Sequence, residues 1–70
     1  MMVEVFKTNV ALQYQSEVLV LELLAHLPGS KINFDLDDCD RILRIEANHV
    51  PQTRIVEIMT ANGYLCTPLE

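Results

Sequence analysis

The stretch S-E-V-L-V-L-E-L-L-A-H-L-P-G, residues 16–29, constrains the fold more than any other part of the chain. Its apolar residues recur at helical spacing, and Pro28-Gly29 follows at once, a pair that stops a helix. At 100° per residue it carries two apolar stripes rather than one. Val20, Leu23, Leu24 and Leu27 fall on one side, with the i, i+3, i+4, i+7 spacing of a core face. Tyr14, Val18, Leu21 and Ala25 fall on nearly the opposite side. Glu17 lies on one seam between the stripes, Glu22 and His26 on the other. Such a helix needs a sheet beneath it, so the remainder of the chain must supply strands.

It does so in short alternating runs. V-E-V-F-K-T, residues 3–8, reads as a first strand with Val3 and Val5 on one face. Residues 9–15 have no period and read as a loop, with Ser16 or Gln13 as a helix cap and Glu17 near the positive end of the helix dipole. K-I-N-F-D-L, residues 31–36, alternates strictly, with Ile32, Phe34 and Leu36 inward. D-D-C-D is a polar turn. R-I-L-R-I-E, residues 41–46, returns with Leu43 and Ile45 inward. A four-residue turn pairs Phe34 with Leu43 and Ile32 with Ile45 on the buried face, and Lys31 with Glu46 on the other. Hydrophobic and charged pairs thus agree in one register.

Pro51 suits the first turn of a second helix, whose face is Ile55, Ile58 and Met59 with Val56 alongside. Asn62-Gly63 ends it, with Gly63 in the left-handed C′ position. Y-L-C-T, residues 64–67, is a last strand closed off by Pro68, and Leu69 and Glu70 are given no weight. The order strand, helix, strand, strand, helix, strand fits one domain over residues 1–70. In this length it predicts an α+β fold, the ferredoxin-like βαββαβ sandwich, with two helices on one face of a four-stranded antiparallel sheet.

Composition narrows function by exclusion. Ten Asp and Glu against five Lys and Arg give a net charge of −5, so the basic footprint of a nucleic-acid binder is missing. The same balance argues against docking on an anionic membrane, and no apolar run approaches the length of a span. A basic protein partner stays compatible with this charge. The first residues show no secretory signal pattern, which makes a cytoplasmic protein the expectation. Cys39 and Cys66 fit no metal spacing and no disulfide framework, so both are expected as free thiols.

Three segments in order resemble the heavy-metal-associated domain family, the small copper chaperones and the N-terminal domains of metal-transporting ATPases. V-L-V-L-E-L-L-A-H-L-P-G is similar to that family's first helix, which ends in leucine-proline-glycine. I-N-F-D-L-D-D-C-D-R-I-L-R-I is similar to its hairpin, and I-V-E-I-M-T-A-N-G-Y-L-C to its second helix with a glycine-tyrosine exit. The resemblance implies the same fold. The family's chemistry sits in a Met-x-Cys-x-x-Cys loop before the first helix, where two thiolates suit monovalent copper. Aligned backwards from Leu27-Pro28-Gly29, the two cysteine positions fall on Gln13 and Ser16. Residues 8–16, T-N-V-A-L-Q-Y-Q-S, contain no Cys, His, Met, Asp or Glu, so the family's metal role does not carry over and no cofactor is expected. At the position of Cys66 the family pattern has a small apolar residue facing the helices.

The remaining candidates are few. Asp37, Asp38, Cys39 and Asp40 form either a solvated acidic turn or a cation site with one thiolate, and they lack the glycine and distal glutamate of a calcium loop. In this fold that turn lies at the same end of the sheet as the first loop, while Cys39 and Cys66 belong to opposite edges, which disfavours a bridge between them. His26 and His49 stand isolated near element ends. No nucleophile-base constellation or phosphate loop is present, and no arginine precedes Arg41, so the chain is not expected to be an enzyme. The stripe Tyr14, Val18, Leu21 and Ala25 either flanks the second helix or stays exposed, and an exposed apolar patch marks a partner surface. The expected function is protein–protein contact through the first helix, with a partner protein or as a homodimer. The alternatives are a divergent metal-handling domain using Cys39 and nearby carboxylates, or a small-ligand regulatory domain of the ACT type.

Overall fold

A computed structural model describes residues 1–69; Glu70 lies outside the described residues. The elements are β1 (Met2–Thr8), α1 (Gln13–His26), β2 (Lys31–Asp35), β3 (Ile42–Ala47), α2 (Gln52–Ala61) and β4 (Cys66–Leu69). The strands form one antiparallel sheet in the order β2-β3-β1-β4, and the fold is the ferredoxin-like α+β sandwich. Among the described residues no helix is long and apolar enough to cross a membrane.

The hairpin register follows the sequence pattern. Phe34 lies opposite Leu43, Ile32 opposite Ile45 and Lys31 opposite Glu46. The ion pair on that face differs: Glu46 accepts from Arg44 of its own strand at 3.3 Å. On β1 the pleat runs the other way from the valines. Phe6 and Thr8 point to the helices and are buried, whereas Val3 and Val5 lie on the open face of the sheet. One large ring on the inner side outweighs two small valines.

The core face of α1 is Ser16, Leu19 and Leu23, flanked by half-buried Val20, Leu24 and Leu27. The buried stripe is thus turned toward α2 by about half of the 100° residue step, which brings Leu19 in and moves Leu24 to the flank. Phe34 is likewise only half-buried, because β2 is an edge strand with no neighbour beyond it. The fully buried set is Phe6, Val10, Leu19, Leu23, Leu43, Ile45, Ile55 and Met59.

Element ends account for the other differences from the sequence reading. The helix starts at Gln13 rather than Ser16, inside the segment read as loop, with Leu12 as N-cap. Leu12 offers no side-chain acceptor, but the Gln15 side chain accepts the Leu12 N–H at 3.2 Å, which replaces part of a capping box. Pro51 is the N-cap of α2 rather than its first helical residue, and its carbonyl accepts the Ile55 N–H. At the far end Gly63 has φ +87°. Tyr64 N–H reaches the Met59 carbonyl and Gly63 N–H the Thr60 carbonyl, the paired bonds of a Schellman motif. Strand β4 continues through Pro68 to Leu69, which pairs with Val5. A proline is tolerated there because β4 is the other edge.

Leu23→Ala should cost about 2–5 kcal/mol in denaturant melts, the range for a core leucine. Leu24→Ala, at the flank, should cost less than half as much.

Candidate functional site

At one end of the sheet the β1–α1 loop meets the β2–β3 turn, and Arg41 joins them. Its backbone sits at φ +46°, a left-handed conformation that non-glycine residues rarely adopt. Four hydrogen bonds hold it there. The Arg41 N–H donates to the Asp38 carbonyl at 3.0 Å, and its guanidinium donates to the Leu36 carbonyl at 3.0 Å and the Ala11 carbonyl at 3.4 Å. The Arg41 carbonyl accepts from the Thr8 hydroxyl, which in turn accepts the buried Val10 N–H. Thr8 N–H also donates to the Asp40 carbonyl. Sequence reasoning missed this latch, because neither Thr8 nor Arg41 carries a pattern that announces a loop contact 33 residues away.

The two positions aligned with the family's cysteines lie in the first turn of α1. Gln13 is exposed, and its side chain donates to Glu17 at 3.2 Å. Ser16 is buried, and its hydroxyl donates to the Gln13 carbonyl at 2.7 Å. Both line a cleft of about 470 Å³ between α1 and β2, together with Glu17, Val20, Leu21, Ile32, Asn33 and Phe34. Glu17 is the one ionisable residue of that cleft. An amide and a self-satisfied hydroxyl offer nothing that binds a soft metal.

In the acidic turn, one donor atom each from Asp38, Cys39 and Asp40 lies within 4.8 Å of the others, and Asp37 falls outside the group. Local bonds occupy the carboxylates of Asp38 and Asp40, and that of Asp35 beside them. Asp38 Oδ1 accepts the Asp40 N–H at 2.8 Å, Asp35 Oδ1 accepts the Asp37 N–H, and the Asp40 carboxylate faces Lys7 at 3.6 Å. Cys39 is exposed and free. Cys66 is buried beside the core and equally free; burial pushes its thiol up to about 11. The two cysteines sit at opposite sides of the sheet order, as expected. His26 and His49, isolated in sequence, line one cleft of about 320 Å³ at the other end, where His26 Nδ1 lies 3.4 Å from the Arg54 guanidinium.

The outward face of α1 is an exposed apolar stripe. Tyr14, Val18 and Leu21 are 65%, 59% and 70% exposed, and Ala25 is exposed beyond them. None of the four belongs to the core or to the half-buried residues packed against it. The seams fall where the helical wheel puts them: Glu17 borders the β2 cleft, Glu22 accepts from Asn62, the C-cap of α2, at 3.2 Å, and His26 meets Arg54 of α2. From Tyr14 to Ala25 the stripe runs about 16 Å at 1.5 Å per residue. Asn9 links the adjoining loop to the segment before β4, its side chain accepting the Leu65 N–H at 2.9 Å. No protein-family model matches the chain, and no curated protein matches it significantly.

Two outcomes follow from this geometry. Gln13→Cys with Ser16→Cys should create a copper(I) site, read by titration against a colorimetric chelator, provided the family's loop geometry is retained. A folded double variant that binds no copper(I) shows that the loop itself has diverged. The raised Cys66 thiol gives a pH dependence on the alkaline side. Its folded value lies above the free thiol's 9.0, so the native state holds the proton longer than the unfolded chain. Stability is unaffected below about pH 9 and falls as pH rises from there toward 11. Urea melts across that window should show the loss in the wild type, and Cys66→Ala should remove that part of it.

Proposed function

We propose that this is a non-enzymatic domain that acts by protein–protein contact through the outward face of α1. The observation that carries the reading is the exposure of Tyr14, Val18 and Leu21 on a helix whose other side buries Ser16, Leu19 and Leu23. Apolar surface left in water is unfavourable by ~25 cal/mol per Å², and a contiguous stripe of it is the usual mark of a partner site. The resemblance to metallochaperone domains supports the same reading, as a relative of that fold in which the metal loop has become an amide and a hydroxyl.

The charges at the rim favour a particular partner. Glu17 and Glu22 flank the stripe, and α1 carries no Lys or Arg. A two-fold contact between two α1 helices sets each glutamate on the same side as its own symmetry mate, with no cation to meet it. A helix with an apolar seam flanked by lysines or arginines meets both glutamates with opposite charge. The free thiols of Cys39 and Cys66 fit a reducing compartment, so the partner is expected in the cytoplasm.

The test uses a synthetic amphipathic helix, Leu-rich on one face and Lys-flanked, titrated against the labelled domain by NMR. Shifts should concentrate at Tyr14, Val18, Leu21 and Ala25, weaken with salt, and vanish in Val18→Glu with Leu21→Lys. Equal binding of a Glu-flanked peptide rejects the charge argument, and no binding of either rejects the surface. A second reading, metal handling, rests on the proximity of Asp38, Cys39 and Asp40. Stoichiometric copper(I) or zinc binding at sub-micromolar affinity, lost in Cys39→Ser, would establish it in place of the first.

A further inference from the structure

We propose that β2 pairs with β2 of a second copy across a two-fold axis through Asn33, joining two sheets edge to edge. The order β2-β3-β1-β4 leaves two edges, and they are unlike. On β4, Pro68 lacks a backbone donor, one of the devices by which sheets protect an edge. On β2 the run K-I-N-F-D has no proline, glycine or inward charge, and its only charges stand at its two ends. Among the described residues no backbone hydrogen bond from elsewhere in the chain covers its outer side.

The strand is complementary to itself. Antiparallel pairing about Asn33 sets Lys31 opposite Asp35 of the second copy, twice over by symmetry. The same register sets Ile32 opposite Phe34 on the helix side, where both are only half-buried in one chain. Lys31, Asn33 and Asp35 share the open face, so opposite charges meet on one side of the joined sheet and apolar groups on the other. Registers centred on Ile32 or Phe34 pair fewer residues of β2 and leave Lys31 or Asp35 without an opposite charge within the strand. The cleft of about 470 Å³ lies between α1 and this edge, so a second copy covers part of it. Tyr14, Val18 and Ala25 point away from the sheet and stay open, which presents two α1 stripes on one side of the assembly.

Sedimentation velocity over a concentration series should show a reversible dimer. Lys31→Glu turns two attractive pairs into two repulsive ones and should weaken association by about tenfold or more. Lys31→Asp combined with Asp35→Lys should restore most of it. Asn33→Cys in a Cys39→Ser background should give a covalent dimer with a short thiol-specific bifunctional reagent, since the two substituted side chains face each other at the axis. A wild type that remains monomeric into the high micromolar range overturns the proposal. So does a dimer that survives Lys31→Glu and fails to cross-link. Val18→Glu alone should leave the dimer intact, because Val18 lies outside the cleft that the second copy covers, whereas Leu21 lines it. If that variant abolishes it instead, self-association belongs to α1 and the edge pairing is wrong. Should Lys31→Glu fail to fold, the Asn33→Cys cross-link decides alone.

Discussion

A sheet covered by helices on one side only can bury one row of side chains per strand, and its two inner strands carry most of the load. Here those strands are β1 and β3, with Phe6 set against Leu43 and Ile45 one step further along. Leu19 and Leu23 of α1 and Ile55 and Met59 of α2 close over that row. Every other placement answers to it. Edge strand β2 brings only half-buried residues and edge strand β4 only Cys66, α1 turns until Leu19 reaches the row, and its opposite stripe is carried out into solvent as a consequence.

That dependence explains what could be read from the chain and what could not. Strand and helix order, the hairpin register and the α2 face were legible, because each is fixed by a local period and a stop signal such as Pro28-Gly29 or Asn62-Gly63. The rotation of α1 was not. With apolar residues around most of its circumference, periodicity gives two opposed stripes of similar strength, and only the neighbouring helix decides where the buried centre falls. Leu19 was overlooked and Leu24 over-weighted for that reason. The pleat of β1 was obscured in the same way, since two valines outnumber one phenylalanine in a count but not in buried area. At the candidate surface, the exposure of Tyr14, Val18, Leu21 and Ala25 was open in the sequence and became definite when α2 was found on the other seam.

The polar end of the sheet shows a different kind of limit. A left-handed arginine has no sequence signature, and Arg41 is held by carbonyls of residues far away along the chain. The latch ties the first loop to the acidic turn through backbone carbonyls and one hydroxyl. Hydrogen bonds among Thr8, Arg41, Leu36 and Ala11 fix the loop beside Gln13 and Ser16, the two positions that the resemblance aligns with cysteines.

The strand order also sets the pace at which such a chain can assemble. Helix α1 and the β2–β3 hairpin are local and can form on fast timescales. Strand β1 is another matter: its two neighbours are β3 and β4, so Phe6 must meet Leu43 and Thr8 must meet Cys66. Closing a loop of that span costs entropy before any packing repays it, and such distant pairings slow folding relative to helical domains of equal size. On a ribosome, the inner strand with the largest buried ring emerges first and waits longest for its second neighbour. Until β4 arrives, Phe6 and Thr8 sit on an unfinished edge, and the nascent chain shows a second strand edge that the folded domain closes with Pro68.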